Sequence, residues 1–144
     1  MKRYRIGYTT GVFDMFHIGH LNILKKAKEQ CDYLIVGVST DELIEAVKNK
    51  RPIIPFDERL AIVGALRFVD EAVPQVNKNK LEAREAYKFD AMFVGDDWKG
   101  KPLFREAEEK LNELGVDVIY FPYTKDISST KLRDIIYELE AVYI

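Results

Sequence analysis

The chain has 144 residues, 47% of them hydrophobic, and its 22 Lys and Arg against 24 Asp and Glu leave a formal charge of −2. That length carries one compact domain over residues 1–144 with a sizeable core, and the near-balance of charge excludes a global attraction for nucleic acid or anionic membrane, so any phosphate site must be local. Cys31 is the only cysteine, which excludes an internal disulfide framework, and no apolar run approaches the roughly 18 residues of a membrane span; the expectation is a cytoplasmic protein.

Taken in order, Tyr4, Ile6 and Tyr8 alternate with Arg3, Arg5 and Gly7 and predict a first strand. The turn that follows runs Thr9-Thr10-Gly11-Val12-Phe13-Asp14-Met15-Phe16-His17-Ile18-Gly19-His20 and holds both histidines of the chain. Leu21, Ile23, Leu24 and Ala27 then form the apolar face of a helix, with Cys31 as a small core residue at its end. A strand, tight turn and helix in an open parallel sheet place main-chain N–H groups where ligands of such folds bind, and phosphate is the natural occupant. His17 and His20, three apart, fall near one face of the first helical turn, and Gly19 keeps that face open. Two imidazoles there can donate hydrogen bonds to a phosphate whose charge grows in a transition state. Two other readings stand beside this one. The histidines can simply satisfy local carbonyls, or they can join Asp14 in a zinc site, which lacks a fourth ligand.

Asp32–Ser39 is a near-continuous apolar run, the pattern of a strand covered on both faces. Thr40-Asp41-Glu42 opens a short helix over Glu42–Val47. The basic segment Lys48-Asn49-Lys50-Arg51-Pro52 reads either as a solvated loop or as a mobile strap over a triphosphate, with Lys48 and Lys50 as point charges. Pro55 begins a helix whose apolar period runs through Leu60, Val63, Leu66 and Val69 to Asp70, and it carries Arg59 and Arg67. Ala72–Val76 is a third strand, and Pro74 suits it to an edge. Asn79–Lys88 is a helix and Phe89–Val94 a fourth strand that runs into Gly95-Asp96-Asp97-Trp98. That ending brings two carboxylates and the only tryptophan to the same carboxyl edge as the histidines. Pro102–Leu114 is a helix closed by Gly115, and Val116–Phe121 is a fifth strand. Ser128, Ser129 and Thr130 precede a last helix and either cap it or seat an anion such as pyrophosphate. Five strands alternating with helices predict an α/β, doubly wound parallel sheet, with a crevice lined by the first, fourth and fifth strand-to-helix turns. The chain holds no GxxxxGK[ST] loop.

The segment Gly11-Val12-Phe13-Asp14-x-x-His17-x-Gly19-His20 resembles the signature of the cytidylyltransferases, a family of the HxGH nucleotidyltransferase superfamily, and its glycerol 3-phosphate-using members are the most similar. The likeness extends from Ile6 to about Ile136 through Lys48-x-Lys50, Glu58-Arg59, Arg67-Phe68-Val69-Asp70-Glu71 and Ile127-Ser128-Ser129-Thr130. It implies a Rossmann-like fold and transfer of CMP from CTP to a phosphorylated alcohol. His17, His20, Lys48 and Arg59 would serve catalysis. The nucleotide would contact Thr10, Gly11, Phe13, Asp14, Gly19, Asp96, Tyr123, Thr124, Ile127, Ser128, Ser129 and Thr130. The acceptor would meet Lys48, Lys50, Arg67, Asp97 and Trp98. Mg²⁺ would arrive on the nucleotide phosphates, and the chain would be a homodimer with Arg67 near the contact. Tyr123-Thr124-Lys125-Asp126 departs from the family's Arg-Thr-Glu-Gly at that place. A nucleotide-binding module without turnover is the rival of another class.

Overall fold

The structure is a computed structural model that describes residues 3–95 and 99–122, apart from the side chain of Leu103. Five strands form one parallel sheet in the order β3-β2-β1-β4-β5. They are β1 (Tyr4–Gly11), β2 (Cys31–Ser39), β3 (Glu71–Gln75), β4 (Ala91–Gly95) and β5 (Asp117–Phe121). Between them run α1 (Ile18–Glu29), α2 (Asp41–Lys48), α3 (Phe56–Gly64), α4 (Lys80–Tyr87) and α5 (Pro102–Glu113). Chain order reverses between β1 and β4, which opens a crevice at their carboxyl ends.

Both faces of the sheet are covered. On β2, Leu34, Val36 and Val38 point to a layer that contains Leu24 and Ala27 of α1 and Val63 of α3, while Ile35 points to the other layer with Leu111 of α5. β4 alternates in the same way, with Ala91 and Phe93 on the first side and Met92 on the second. This two-sided burial is why the strands read as apolar runs. On the second face Tyr8 stacks on Phe89 at 4.8 Å and on Tyr87 at 5.6 Å, tying β1 to the far end of α4.

Local signals set most boundaries. Thr40 caps α2 by accepting the Leu43 N–H, Asn79 caps α4 by accepting the Glu82 N–H, and Gly115 at φ 84° follows α5. β3 is an edge strand, as Pro74 indicated. Two expectations are corrected. Cys31 does not end the first helix but begins β2, fully buried. The helix from Pro55 stops at Gly64, a poor helix former, and the apolar period beyond it is carried by tight turns in which Leu66 N–H bonds the Val63 carbonyl and Val69 N–H the Leu66 carbonyl. Among the described residues no helix is long and apolar enough to cross a membrane.

Candidate active site

The first strand-to-helix turn folds back on itself. Phe13 and Met15 both adopt positive φ, 54° and 48°, a conformation that the surroundings must hold in place. Phe13 is buried with its ring against Gly11, where an added Cβ would lie 2.8 Å from the ring, so the turn needs glycine there for contact rather than flexibility. Asp14, between the two strained residues, is buried and accepts the main-chain N–H groups of Ile53 at 2.9 Å and Ile54 at 2.8 Å. The turn is thereby clipped to the end of the basic segment.

His17 is the N-cap of α1, and the two histidines complete a reciprocal cap. His17 Nδ1 accepts the Gly19 N–H at 3.0 Å, and His20 Nδ1 accepts the His17 N–H at 3.2 Å. Their rings stack with centroids 3.9 Å apart, and His20 also packs edge-on to Phe13 at 5.4 Å and against Phe16 at 5.2 Å. Burial lowers the pKa of both, that of His20 to about 4, where the neighbouring His17 lowers it further and Asp14 opposes the shift. Both rings are therefore neutral near pH 7. With each Nδ1 accepting a main-chain N–H, the ring proton sits on Nε2, so each imidazole presents one N–H. His17 Nε2 is buried and makes no hydrogen bond, a costly arrangement unless an acceptor arrives.

Arg59 organises the layer beneath. Its side chain is 0% exposed, and its guanidinium donates to the carbonyls of Ile54, Val12 and Ser39 and to the Asp41 carboxylate, all between 2.7 and 2.8 Å. For Asp41, burial works to raise the pKa, but bonds from Arg59 and the Phe56 N–H and the charges of Arg59 and Arg51 hold it below the usual carboxylate value. Enclosed in this way, Arg59 has no face toward a substrate. The expected catalytic arginine is corrected to a residue that ties together the turns after β1 and β2 and the segment before α3.

A cavity of about 580 Å³ opens on this framework. Its lining includes Thr10, Gly11, Phe13, Asp14 and His20 from the first turn, Leu43, Ile44, Val47 and Lys48 from α2, the stretch Pro74–Lys80 from the end of β3 to the start of α4, Tyr87 of α4, Val94 and Gly95 of β4, and Phe104 of α5. The crevice thus reaches across the ends of β2 and β3 as well as β1 and β4, wider than the sequence suggested.

Placement of the remaining expected residues is mixed. Lys48 lines the cavity, whereas Lys50 is exposed and does not. Gly19 is buried with its N–H taken by His17, and Asp14 lines the cavity while its carboxylate accepts the Ile53 and Ile54 N–H groups. Arg67 is exposed on the turns after α3, away from the cavity lining. Arg51 pairs with Glu45 at 2.7 Å, so the strap is tethered at both Arg51 and Ile53. Asp96, Asp97, Trp98, Tyr123, Thr124, Ile127, Ser128, Ser129 and Thr130 lie outside the described residues, as does the last helix. Of the ligands that the zinc alternative would use, both histidine Nδ1 atoms accept main-chain N–H groups and the Asp14 carboxylate accepts those of Ile53 and Ile54. Sequence reasoning passed over Lys78 and Lys80, which line the cavity. Their signal was present, a Lys-x-Lys directly after the carboxyl end of a strand.

The comparisons with known proteins agree with this geometry. The chain is 36% identical over 127 residues to the glycerol-3-phosphate cytidylyltransferase of Bacillus subtilis, covering 88% of this chain and 92% of that one. It is 35% identical over 136 residues to an FAD synthase of Pyrococcus abyssi, covering 92% and 90%. A lipopolysaccharide core biosynthesis protein of Thermoplasma volcanium superposes with a TM-score of 0.69 at 31% identity, over 86% of this chain and 99% of that structure. The cytidylyltransferase-like profile matches residues 8–135, from the strand that leads into the paired histidines to beyond the last described strand, and the chain belongs to that family.

Proposed function

We propose that the protein transfers CMP from CTP to a phosphorylated alcohol, with glycerol 3-phosphate, named in the Bacillus subtilis relative, as the first acceptor to test. One observation carries the reading: two neutral imidazoles are locked side by side at the start of α1, each with its proton on Nε2, and His20 lines the cavity. An oxygen of the acceptor phosphate attacks the α-phosphorus of CTP, a new P–O–P bond forms, and the bond between the α-phosphorus and the β-phosphate oxygen breaks to release pyrophosphate. The acceptor phosphate is largely ionised at pH 7, with a second pKa near 6, so no protein base is required. His17 and His20 donate from Nε2 to the oxygens on which charge accumulates, and Lys48 supplies a point charge from the strap. Neutral donors suit this task, because they keep their protons throughout and need no reorganisation.

Mg²⁺ would arrive as a passenger on the triphosphate and would not need the carboxylate of Asp14, which is turned to main-chain N–H groups. Bound there, it would supply charge neutralisation for the leaving pyrophosphate. The assembly expected is a homodimer on the side of α3 that exposes Ile62 and Arg67, which sedimentation velocity would read.

The test is pyrophosphate release with CTP or ATP across glycerol 3-phosphate, phosphocholine, phosphoethanolamine and a pentitol phosphate. Release with CTP and glycerol 3-phosphate is expected. Release with ATP alone would move the protein toward the activity of its Pyrococcus abyssi relative, and CTP binding without release from any acceptor would make it a nucleotide-binding module.

A further inference from the structure

The proposed chemistry takes place at the first turn, yet the cavity continues from there along the second face of the sheet. In the register of β1, β2 and β3, Tyr8 lies beside Ile35, Thr10 beside Gly37, Gly37 beside Val73 and Ser39 beside Gln75, so these residues share that face. None of them is charged. Tyr8, Thr10, Ser39 and Gln75 line the cavity, and Met92, Val94, Tyr87 and Phe104 line it too, as apolar and aromatic wall.

Tyr8 stands out among them. It is 3% exposed and its ring is fixed by stacking on Phe89 and Tyr87, yet its hydroxyl makes no hydrogen bond among the described residues. The Ser39 hydroxyl is engaged elsewhere, donating to Gln75 Oε1 at 2.7 Å. A Cβ added to Gly37 would lie 2.8 Å from the Tyr8 hydroxyl oxygen and 3.1 Å from Thr10 Cγ2, so the phenol occupies the space that a side chain on β2 would fill. Burial, and after it the neighbouring Tyr87, pushes the Tyr8 pKa up, so the phenol keeps its proton and can both donate and accept. A buried hydroxyl in this state is costly until a polar group enters the cavity beside it.

Position says which part of a substrate reaches it. The pocket lies on the β2 side of β1, the side from which Lys48 lines the cavity, and its uncharged sheet face suits a neutral tail rather than a polyphosphate. Gly37 is opposite Thr10, so the Tyr8 hydroxyl lies one strand across and one residue short of Gly11, roughly 6 Å from the end of β1. The turn adds to that distance before the histidines are reached. A chain with its phosphate at the histidines therefore needs more than the three carbons of glycerol to bring a hydroxyl to Tyr8.

We propose that Tyr8 is a specificity-determining residue for the acceptor, its hydroxyl bonding a hydroxyl at the far end of a phosphorylated polyol of four or five carbons. This rests on the transferase reading above and names the acceptor class within it. Glycerol 3-phosphate remains a substrate, bound without that contact. The bond formed and the bond broken are the same for every acceptor.

The experiment measures pyrophosphate release from CTP by the intact chain with glycerol 3-phosphate, ribitol 5-phosphate and phosphocholine. The unmodified protein should show kcat/KM about fivefold higher for ribitol 5-phosphate than for glycerol 3-phosphate, the size of one neutral hydrogen bond. In Tyr8→Phe, which keeps the ring stacks, the ratio should fall toward one through the KM for ribitol 5-phosphate and not through the KM for CTP; a merely structural role would move both acceptors together. Gly37→Ala, whose Cβ displaces the hydroxyl, should lower the same ratio. Equal use of the two polyol phosphates by the unmodified protein, or a preference for phosphocholine, which has no hydroxyl to share, would overturn the assignment and leave the transferase reading intact. A preference that survives Tyr8→Phe would overturn it as well, and a rise in the KM for CTP in its place would give the hydroxyl to the nucleotide. Failure of every acceptor would remove the transferase reading and the role of Tyr8 together.

Discussion

His20 Nδ1 accepts the main-chain N–H of His17, and that single bond settles which nitrogen of His20 carries the proton. The capping duty and the proposed catalytic duty fall on opposite edges of one ring, so a substitution can remove either separately. In His20→Asn the amide oxygen can still accept the His17 N–H, but nothing replaces the Nε2 proton. Turnover with CTP should fall on the order of 10²–10³-fold, with the thermal midpoint nearly unchanged, as measured by pyrophosphate release and calorimetry. Unchanged turnover in the folded variant would remove His20 from the chemistry.

The low pKa of His20 also makes stability depend on pH. A histidine that titrates at about 4 in the fold and near 6.5 when unfolded binds fewer protons folded than unfolded in that interval. Stability is therefore complete above about pH 6.5 and lost as pH falls toward 4, with His17 adding in the same direction. Denaturation midpoints between pH 7 and 4.5 should drop more steeply for the unmodified protein than for His20→Asn, and parallel curves would contradict the assignment.

Arg59→Met should be a stability variant first. It leaves the carbonyls of Val12, Ser39 and Ile54 without a donor and Asp41 without its buried partner, at a cost of about 3–5 kcal/mol. Arg59→Lys should recover little, because a point charge cannot serve three carbonyls and a carboxylate at once. Urea denaturation gives the answer. A normal midpoint with abolished turnover would return Arg59 to direct contact with substrate.

Asp14→Asn should loosen the strap. One carbonyl oxygen can replace only part of a carboxylate that accepts two main-chain N–H groups, so amide hydrogen exchange at Ile53 and Ile54 should accelerate while amides in β1 and β2 keep their protection. Equal exchange in both proteins would show that the segment is held by other means.

Much of this was legible in the chain itself, for reasons that differ from place to place. The five strands and their edge were readable because two-sided burial writes continuous apolar runs and Pro74 marks a missing donor. The paired histidines were readable because their spacing carries both helix geometry and chemistry. The main-chain partners of Arg59 and Asp14 were not. A motif shows that an arginine or aspartate is present, but whether it faces substrate or main chain depends on partners such as Val12 and Ile53, which lie 47 and 39 residues away. Lys80 was missed because a lysine at a helix start looks solvated until a helix as distant as α5 supplies Phe104 as its wall.

The guanidinium of Arg59 reaches the Val12 carbonyl across 47 residues and the Ser39 carbonyl across 20. The turn after β1 consequently cannot take its shape from its own letters; it is finished only when α3 docks and closes three loops in one move. Grafting residues 8–20 into another scaffold would transplant the motif without its form, and lineages that drift in α3 must drift in step with the turn it anchors.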